Sequence, residues 1–145
     1  MEIKHILVPY MGTSKDQELL HTVCRLAASY RARISVVHVL EIPTNLPVDV
    51  EDAPGAVEGN DILDRAEMIA ESACAKVQTV LLQARDAGHA IVEEAIALGV
   101  ELIIMEVRQR HWLGILALGH TTEYVLKHAP MAVWISRFPD MVSET

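Results

Sequence analysis

The sequence predicts a single α/β domain, a five-stranded parallel sheet with helices on both faces. Three observations carry this. Short runs of aliphatic and β-branched residues alternate with longer segments of helical periodicity, five of the former and four of the latter. The runs Ile6-Leu7-Val8 and Leu102-Ile103-Ile104-Met105 are apolar at consecutive positions, as strands covered on both faces require. The length, 145 residues, suits one domain, and a chain of that size hides roughly 70% of its unfolded surface.

The elements follow in order. Ile6-Leu7-Val8 is the first strand, ended by Pro9. A helix over 14–30 has Leu19, Leu20, Val23, Leu26 and Ala27 at three- and four-residue steps, with Ser14 and Gln17 as a capping box. Residues 33–39 form the second strand. Residues 41–60 hold Pro43, Pro47, Pro54, Gly55 and Gly59 among Asp49, Glu51, Asp52 and Glu58, and read as a mobile acidic loop. The second helix is placed at 61–75, with Ile62, Ala66, Ile69 and Ala73 inward, and the third strand at 76–83. Asp86 caps a helix reaching Leu98, and Gly99 ends it. The fourth strand is 101–105, and a loop fills 106–118. A short helix over 121–128 is stopped by Pro130 before the fifth strand, Ala132-Val133-Trp134-Ile135. The tail, 138–145, is polar and expected to fray.

Composition narrows the function classes. Aromatic residues are 4% of a chain that is 51% apolar, so the core is aliphatic. A net charge of −8 repels nucleic acid and anionic lipid, and the one basic cluster, Arg108, Arg110 and His111, is too short to reverse that. No apolar stretch approaches about 18 residues, so direct membrane insertion is not expected. Cys24 and Cys74 sit mid-helix among apolar neighbours without a CxxC, which predicts buried free thiols in a reducing cytoplasm. The start, Met1 to His5, runs straight into a strand and carries no expected secretory signal.

Open parallel sheets bind ligands at the carboxyl ends of their strands, where the strand order reverses. With the first and fourth strands as central neighbours, the crevice falls between residues 9–13 and 106–119. No G-x-S-x-G or triad order is present, so no catalytic residue is assigned. Seven histidines show no ligand-type spacing, and His111 and His120 near Glu106 read as solvated loop residues, so no metal is assigned. His38 is expected to hydrogen-bond locally, and His128 to complement a helix dipole. Trp112 either stacks on a ligand or partner, or covers the apolar end of the sheet.

Several of these segments resemble the universal stress protein family. Ile6-Leu7-Val8-Pro9-Tyr10-Met11-Gly12-Thr13 is similar to that family's opening, I-L-V-P-x-D-G-S. His38-Val39 fits the end of its second strand. Leu102 to Met105 resembles its fourth strand, normally followed by G-x-x-G, nine residues and G-S or G-T. Glu123-Tyr124-Val125-Leu126-Lys127-His128-Ala129-Pro130 resembles its last helix. The resemblance spans nearly the whole of 1–145. It implies a Rossmann-like parallel sheet in order 3-2-1-4-5, and a crevice for ATP or AMP.

Carried over residue by residue, the nucleotide site is degenerate. The family's first-loop Asp falls on Met11, its loop glycines on Glu106, Gln109 and Gly119, and its Ser or Thr on His120; only Gly119 is retained. The implied crevice comprises Pro9, Tyr10, Met11, Gly12, Val39, Glu106, Arg108, Gln109, Gly119, His120 and Thr121. Met11 lacks an acceptor for ribose or adenine. A Glu106 carboxylate facing phosphate at about 4 Å costs on the order of 4 kcal/mol at an effective dielectric of about 20. Arg108, Arg110, His111 and His120 either compensate by pairing with phosphate, pair with Glu106, or face water.

The resemblance also implies a homodimer through the last strand, at Ala132, Val133, Trp134 and Ile135. The expected function is therefore a non-catalytic, cytoplasmic stress-response or regulatory domain with weak ATP or AMP binding, acting through dimerisation. Two alternatives stand beside it: an ATP- or AMP-binding stress protein with an adapted loop, and a cytoplasmic regulatory module of a membrane transporter. The second follows from Glu41-Ile42-Pro43, Leu46-Pro47, the 84–94 segment and Arg108-Gln109-Arg110, which resemble family domains associated with amino-acid permeases. Weak ATP hydrolysis, attributed to the family, is left open.

Overall fold

A computed structural model describes residues 1–73, 75–112 and 115–139, with the backbone alone for 109–112 and 115–117. The elements are β1 (His5–Pro9), α1 (Ser14–Tyr30), β2 (Arg33–Glu41), α2 (Ala56–Ser72), β3 (Val77–Ala84), α3 (Ala87–Leu98), β4 (Leu102–Glu106), β5 (Gln109–Trp112), β6 (Ile115–Leu118), α4 (His120–His128) and β7 (Ala132–Ser136). Five strands form one parallel sheet in order β3-β2-β1-β4-β7, the 3-2-1-4-5 order of a Rossmann-like fold. Every residue of β1 and β4 is buried, which is why both read as unbroken apolar runs.

Two cores flank the sheet. On one face, Leu19, Leu20, Val23 and Ala27 of α1 and Leu63, Ala66 and Ala70 of α2 pack on Ile6, Val8, Ile34, Val36, Leu102 and Ile104. On the other, Ile91, Val92 and Ala95 of α3 and Val125 of α4 pack on Leu7, Val37, Ile103 and Met105. Cys24 is buried and free in the first core, and burial raises its thiol pKa. The expected buried thiol at Cys74 lies outside the described residues, as do Leu113, Gly114 and the tail from Asp140. Among the described residues no helix is long and apolar enough to cross a membrane.

Several boundaries differ from the sequence reading. Helix α1 is capped by Thr13, not Ser14: Thr13 Oγ1 accepts from Asp16 N at 3.1 Å, while Gln17 Nε2 donates to the Gly12 carbonyl at 3.0 Å. Helix α2 starts at Ala56, five residues earlier than expected, because Gly59 is a packing residue rather than a breaker. A Cβ there would meet Leu81 at 2.9 Å and His38 at 3.0 Å. Segment 106–118 is not one loop. It carries an antiparallel hairpin pairing Gln109↔Leu118 through Trp112↔Ile115. Gln109-Arg110-His111 shows no period-2 alternation, so nothing in the sequence marked the first arm.

The acidic segment before α2 is tied to the body. Ile42 and Ala53 are buried beside Leu40, Arg85 donates to the Ile42 and Pro43 carbonyls, and Gln83 Nε2 donates to the Val48 and Val50 carbonyls.

Candidate functional site

The site forms where β1 and β4 end side by side. The strand order reverses there: β1 leads through α1 to β2 on one side, and α3 leads to β4 on the other. Beyond Pro9 the chain keeps its ladder for one more residue, with Tyr10 N donating to Val37 O at 2.8 Å. It then turns into α1 through Gly12, whose φ of +80° suits glycine, and where a Cβ would lie 2.9 Å from Ile62 Cγ2.

A crevice of about 260 Å³ opens at this end of the sheet. Pro9, Tyr10, Met11, Val39, Arg108 and Thr121 line it, six residues assigned from the sequence. His38, Glu41, Ala87, Ile91 and Met105 also line it and were missed. Ile91 and Met105 were legible only as core. Glu41 was read as loop, yet it ends β2 and its Oε2 accepts from Ala87 N at 3.2 Å. His38 Nδ1 lies 2.8 Å from the carbonyl of Tyr10, the residue after β1, a contact across 28 positions rather than a local one. A larger open dish of about 800 Å³ lies by Met1, Lys4, Arg31 and Arg33, at the amino ends of β1 and β2. Switch-point ligands bind at the opposite end of the strands, so the crevice is the candidate site.

Among the described side chains, the other assigned residues do not line the crevice. Glu106 alternates onto the α1 face of β4 and is 1% exposed; its Oε1 accepts from Phe138 N at 3.3 Å. Its carboxylate therefore does not face the crevice, and the like-charge penalty expected from it does not arise. Oε2 of Glu106 has no hydrogen-bond partner among the described residues. Gly119 is the N-cap of α4, with its N–H donating to the Arg108 carbonyl; a Cβ there would stand 2.9 Å from that oxygen. Close approach, rather than an unusual φ, keeps glycine at this position. His120 turns toward Asp86, Nε2 to Oδ1 3.6 Å, and is exposed. The side chains of Gln109, Arg110, His111 and Trp112 lie outside the described residues. No cluster of three His, Cys, Asp or Glu groups suited to a metal occurs among the described residues.

The cation that lines the crevice is already paired. Arg108 Nη1 and Nη2 donate to Asp16 Oδ1 and Oδ2 at 3.0 and 3.1 Å. Asp16 is 1% exposed, and its Oδ2 also accepts from Met11 N at 2.7 Å. Arg108 N donates to Thr122 Oγ1 at 3.0 Å, and the Thr122 side chain is buried. Neither pairing with Glu106 nor free exposure to water, two readings left open by the sequence, describes Arg108. Asp16 was missed because a helix-start acid is ordinarily a capping or solvated group. Asp16 and Tyr10 interact electrostatically as well: burial first, and then the Asp16 charge, push the Tyr10 phenol up to about 12.

The parallel sheet in order 3-2-1-4-5, with helices on both faces and a crevice at its switch point, is a doubly wound α/β domain of the Rossmann-like class. Residues 2–137 match the model of the universal stress protein family. A universal stress protein from Thermus aquaticus, encoded in the 3' region of a QAH/OAS sulfhydrylase, is 31% identical over 137 residues, spanning 92% of this chain and 98% of its own. The chain belongs to the universal stress protein family. Among solved structures, a universal stress protein from Archaeoglobus fulgidus superposes with a TM-score of 0.75 at 23% identity, covering 91% of this chain and 97% of that one. An Archaeoglobus fulgidus universal stress protein in complex with dAMP gives 0.70 at 21% identity, covering 93% and 98%.

Proposed function

We propose that this protein is a non-catalytic stress-response or regulatory domain, acting in the cytoplasm as a homodimer. Its crevice takes an adenosine-type ligand and has little affinity for polyphosphate. The observation that carries this is the crevice at the ends of β1 and β4, walled by Pro9, Val39, Ile91 and Met105, with Met11 where the family places an Asp. Its volume, about 260 Å³, falls just under the roughly 300 Å³ at which pockets for drug-sized ligands begin. A nucleoside-sized group fits that space and the phosphates extend outside it. The dAMP held by the Archaeoglobus fulgidus relative supports a nucleotide of this class.

The phosphate end lacks what a polyphosphate needs. Gln109 and His120 replace a loop glycine and a hydroxyl, and the segment between them folds into a hairpin. Dimerisation rests on β7, an edge strand with Trp134 40% exposed among partly buried Val133 and Ile135. The non-catalytic reading rests on the sequence, which carries no G-x-S-x-G and no triad order.

Calorimetry with adenosine, AMP and ATP tests the reading. Adenosine and AMP are expected to bind at about hundreds of micromolar, with ATP no tighter. ATP binding at low micromolar concentration would overturn it.

A further inference from the structure

We infer that Asp16 is a specificity-determining residue of the crevice: its two-pronged hold on Arg108 makes the site select uncharged and singly phosphorylated ligands over polyphosphates. The inference rests on the adenosine-type reading above and adds the residue that sets its charge preference. Arg108 is the cation among the described lining residues, and Glu41 is the anion. Were Arg108 free, its fork of donors would suit a phosphate chain at the mouth of the crevice. It is not free. Both Nη atoms are on Asp16, its N–H is on Thr122 Oγ1, and its carbonyl takes the Gly119 N–H.

The asymmetry in burial decides which partner holds the guanidinium. Asp16 is 1% exposed, whereas the Arg108 side chain is 20% exposed on the crevice side. A ligand phosphate that drew Arg108 away would leave a buried carboxylate with, among the described residues, the Met11 N–H against it. Leaving one member of a buried pair uncompensated costs more than a contact at an open, hydrated mouth returns. With Arg108 neutralised by Asp16, Glu41 leaves the described lining with a negative balance, which opposes each added phosphate charge. Asp16 touches no ligand in this arrangement. It acts as a positioning residue, through Arg108 and the Met11 amide.

Asp16→Asn is the test. It keeps an oxygen for the Met11 N–H and removes the charge that neutralises Arg108. With adenosine and magnesium-free ATP titrated by calorimetry, the variant is expected to bind ATP about tenfold or more tighter, with adenosine within about twofold of the unmodified protein. The gain should vanish in Asp16→Asn/Arg108→Gln. An unchanged ATP-to-adenosine ratio in Asp16→Asn would overturn the inference while leaving the adenosine reading intact. Failure of adenosine to bind either protein would overturn both. The unmodified protein gives a second readout that needs no folded variant. Its ATP-to-adenosine ratio should stay flat or fall as ionic strength drops from about 0.2 to 0.02 M. A steep rise would mean that phosphate recruits Arg108, and the inference would be wrong.

Discussion

Arg108 and Asp16, 92 positions apart in the chain, meet in a parallel pair of hydrogen bonds at 3.0 and 3.1 Å where β1 and β4 end. The pair fastens the start of α1 to the segment leaving β4. Because Arg108 also holds Thr122 and Gly119, the amino end of α4 belongs to the same assembly. Removing either partner should therefore destabilise the fold as well as alter the crevice. Asp16→Ala is expected to cost about 3 kcal/mol, at the lower end for a broken buried pair because Arg108 retains some solvent. Urea unfolding measures it, and a loss below about 1 kcal/mol would show that water replaces the carboxylate readily.

The loop glycines give a graded prediction. Gly12, Gly99 and Gly119 differ in what alanine would meet. Gly99 has φ +68° and open space, so Gly99→Ala should cost about 1 kcal/mol from backbone strain alone. Gly12 combines φ +80° with Ile62 Cγ2 at 2.9 Å, and Gly12→Ala should cost more than Gly99→Ala. Gly119 has an ordinary extended backbone but would set a Cβ 2.9 Å from the Arg108 carbonyl, which is itself held in place. Gly119→Ala should therefore cost about 1–3 kcal/mol. Equal thermal shifts for Gly12→Ala and Gly99→Ala would show that Ile62 yields without strain.

The fold was legible because its signals are local: apolar runs for β1 and β4, periodic stripes for α1 and α3, and Gly99 as a left-handed stop. The position of the crevice followed from strand order. Its electrostatics did not, because they depend on which face a residue takes. Glu106 sits one step past Met105, and in a strand that single step moves it to the opposite side of the sheet from the crevice. Asp16 became significant only through a partner 92 residues away, a distance at which sequence spacing says nothing. The hairpin of β5 and β6 was hidden for a different reason, a polar first arm without alternation.

Edge strand β7 supplies a prediction on assembly. Trp134 is 40% exposed on a strand whose one described neighbour is β4. Pairing with a second copy would cover that ring and satisfy the open row of backbone groups. Trp134→Glu places a charge in the contact and should convert the dimer to a monomer in light scattering at micromolar concentration. An unmodified protein that is already monomeric there would show that β7 is not the contact.

Tyr10 should resist alkaline titration. Its phenol is buried without a hydrogen-bond partner among the described residues, and its pKa is raised to about 12 by burial and then by Asp16. Below about pH 11, Tyr10→Phe should leave the phenolate absorbance of the folded protein unchanged. A drop of one tyrosine equivalent would mean that Tyr10 ionises at its ordinary value. The stability it contributes holds below pH 10 and declines as pH rises from 10 toward 12, where the unfolded phenol ionises first.

His5 should make the fold acid-sensitive in a window set by its own ring. It is 4% exposed at the start of the central strand β1, with Nε2 2.7 Å from Ser35 Oγ. Burial, and secondarily the Arg33 charge, lower its pKa below 6.5, against a smaller opposing pull from Glu101. The unfolded chain takes up a proton near 6.5 while the folded chain does not. Stability from neutral His5 is thus complete above 6.5 and is lost as pH falls from there through the folded pKa. Glu101 acts in a lower window. Lys4 N and His5 N both donate to its Oε1 at 2.8 Å and lower its pKa from 4.5, so its contribution is lost only as pH falls below the carboxylate range. Urea midpoints of the unmodified protein should fall as pH drops below 6.5, and His5→Gln should flatten that slope. The further fall below about pH 4.5 should persist in His5→Gln and shrink in Glu101→Gln. Identical slopes for the unmodified protein and His5→Gln between pH 6.5 and 4.5 would mean that the buried ring accepts its proton at no cost to the fold.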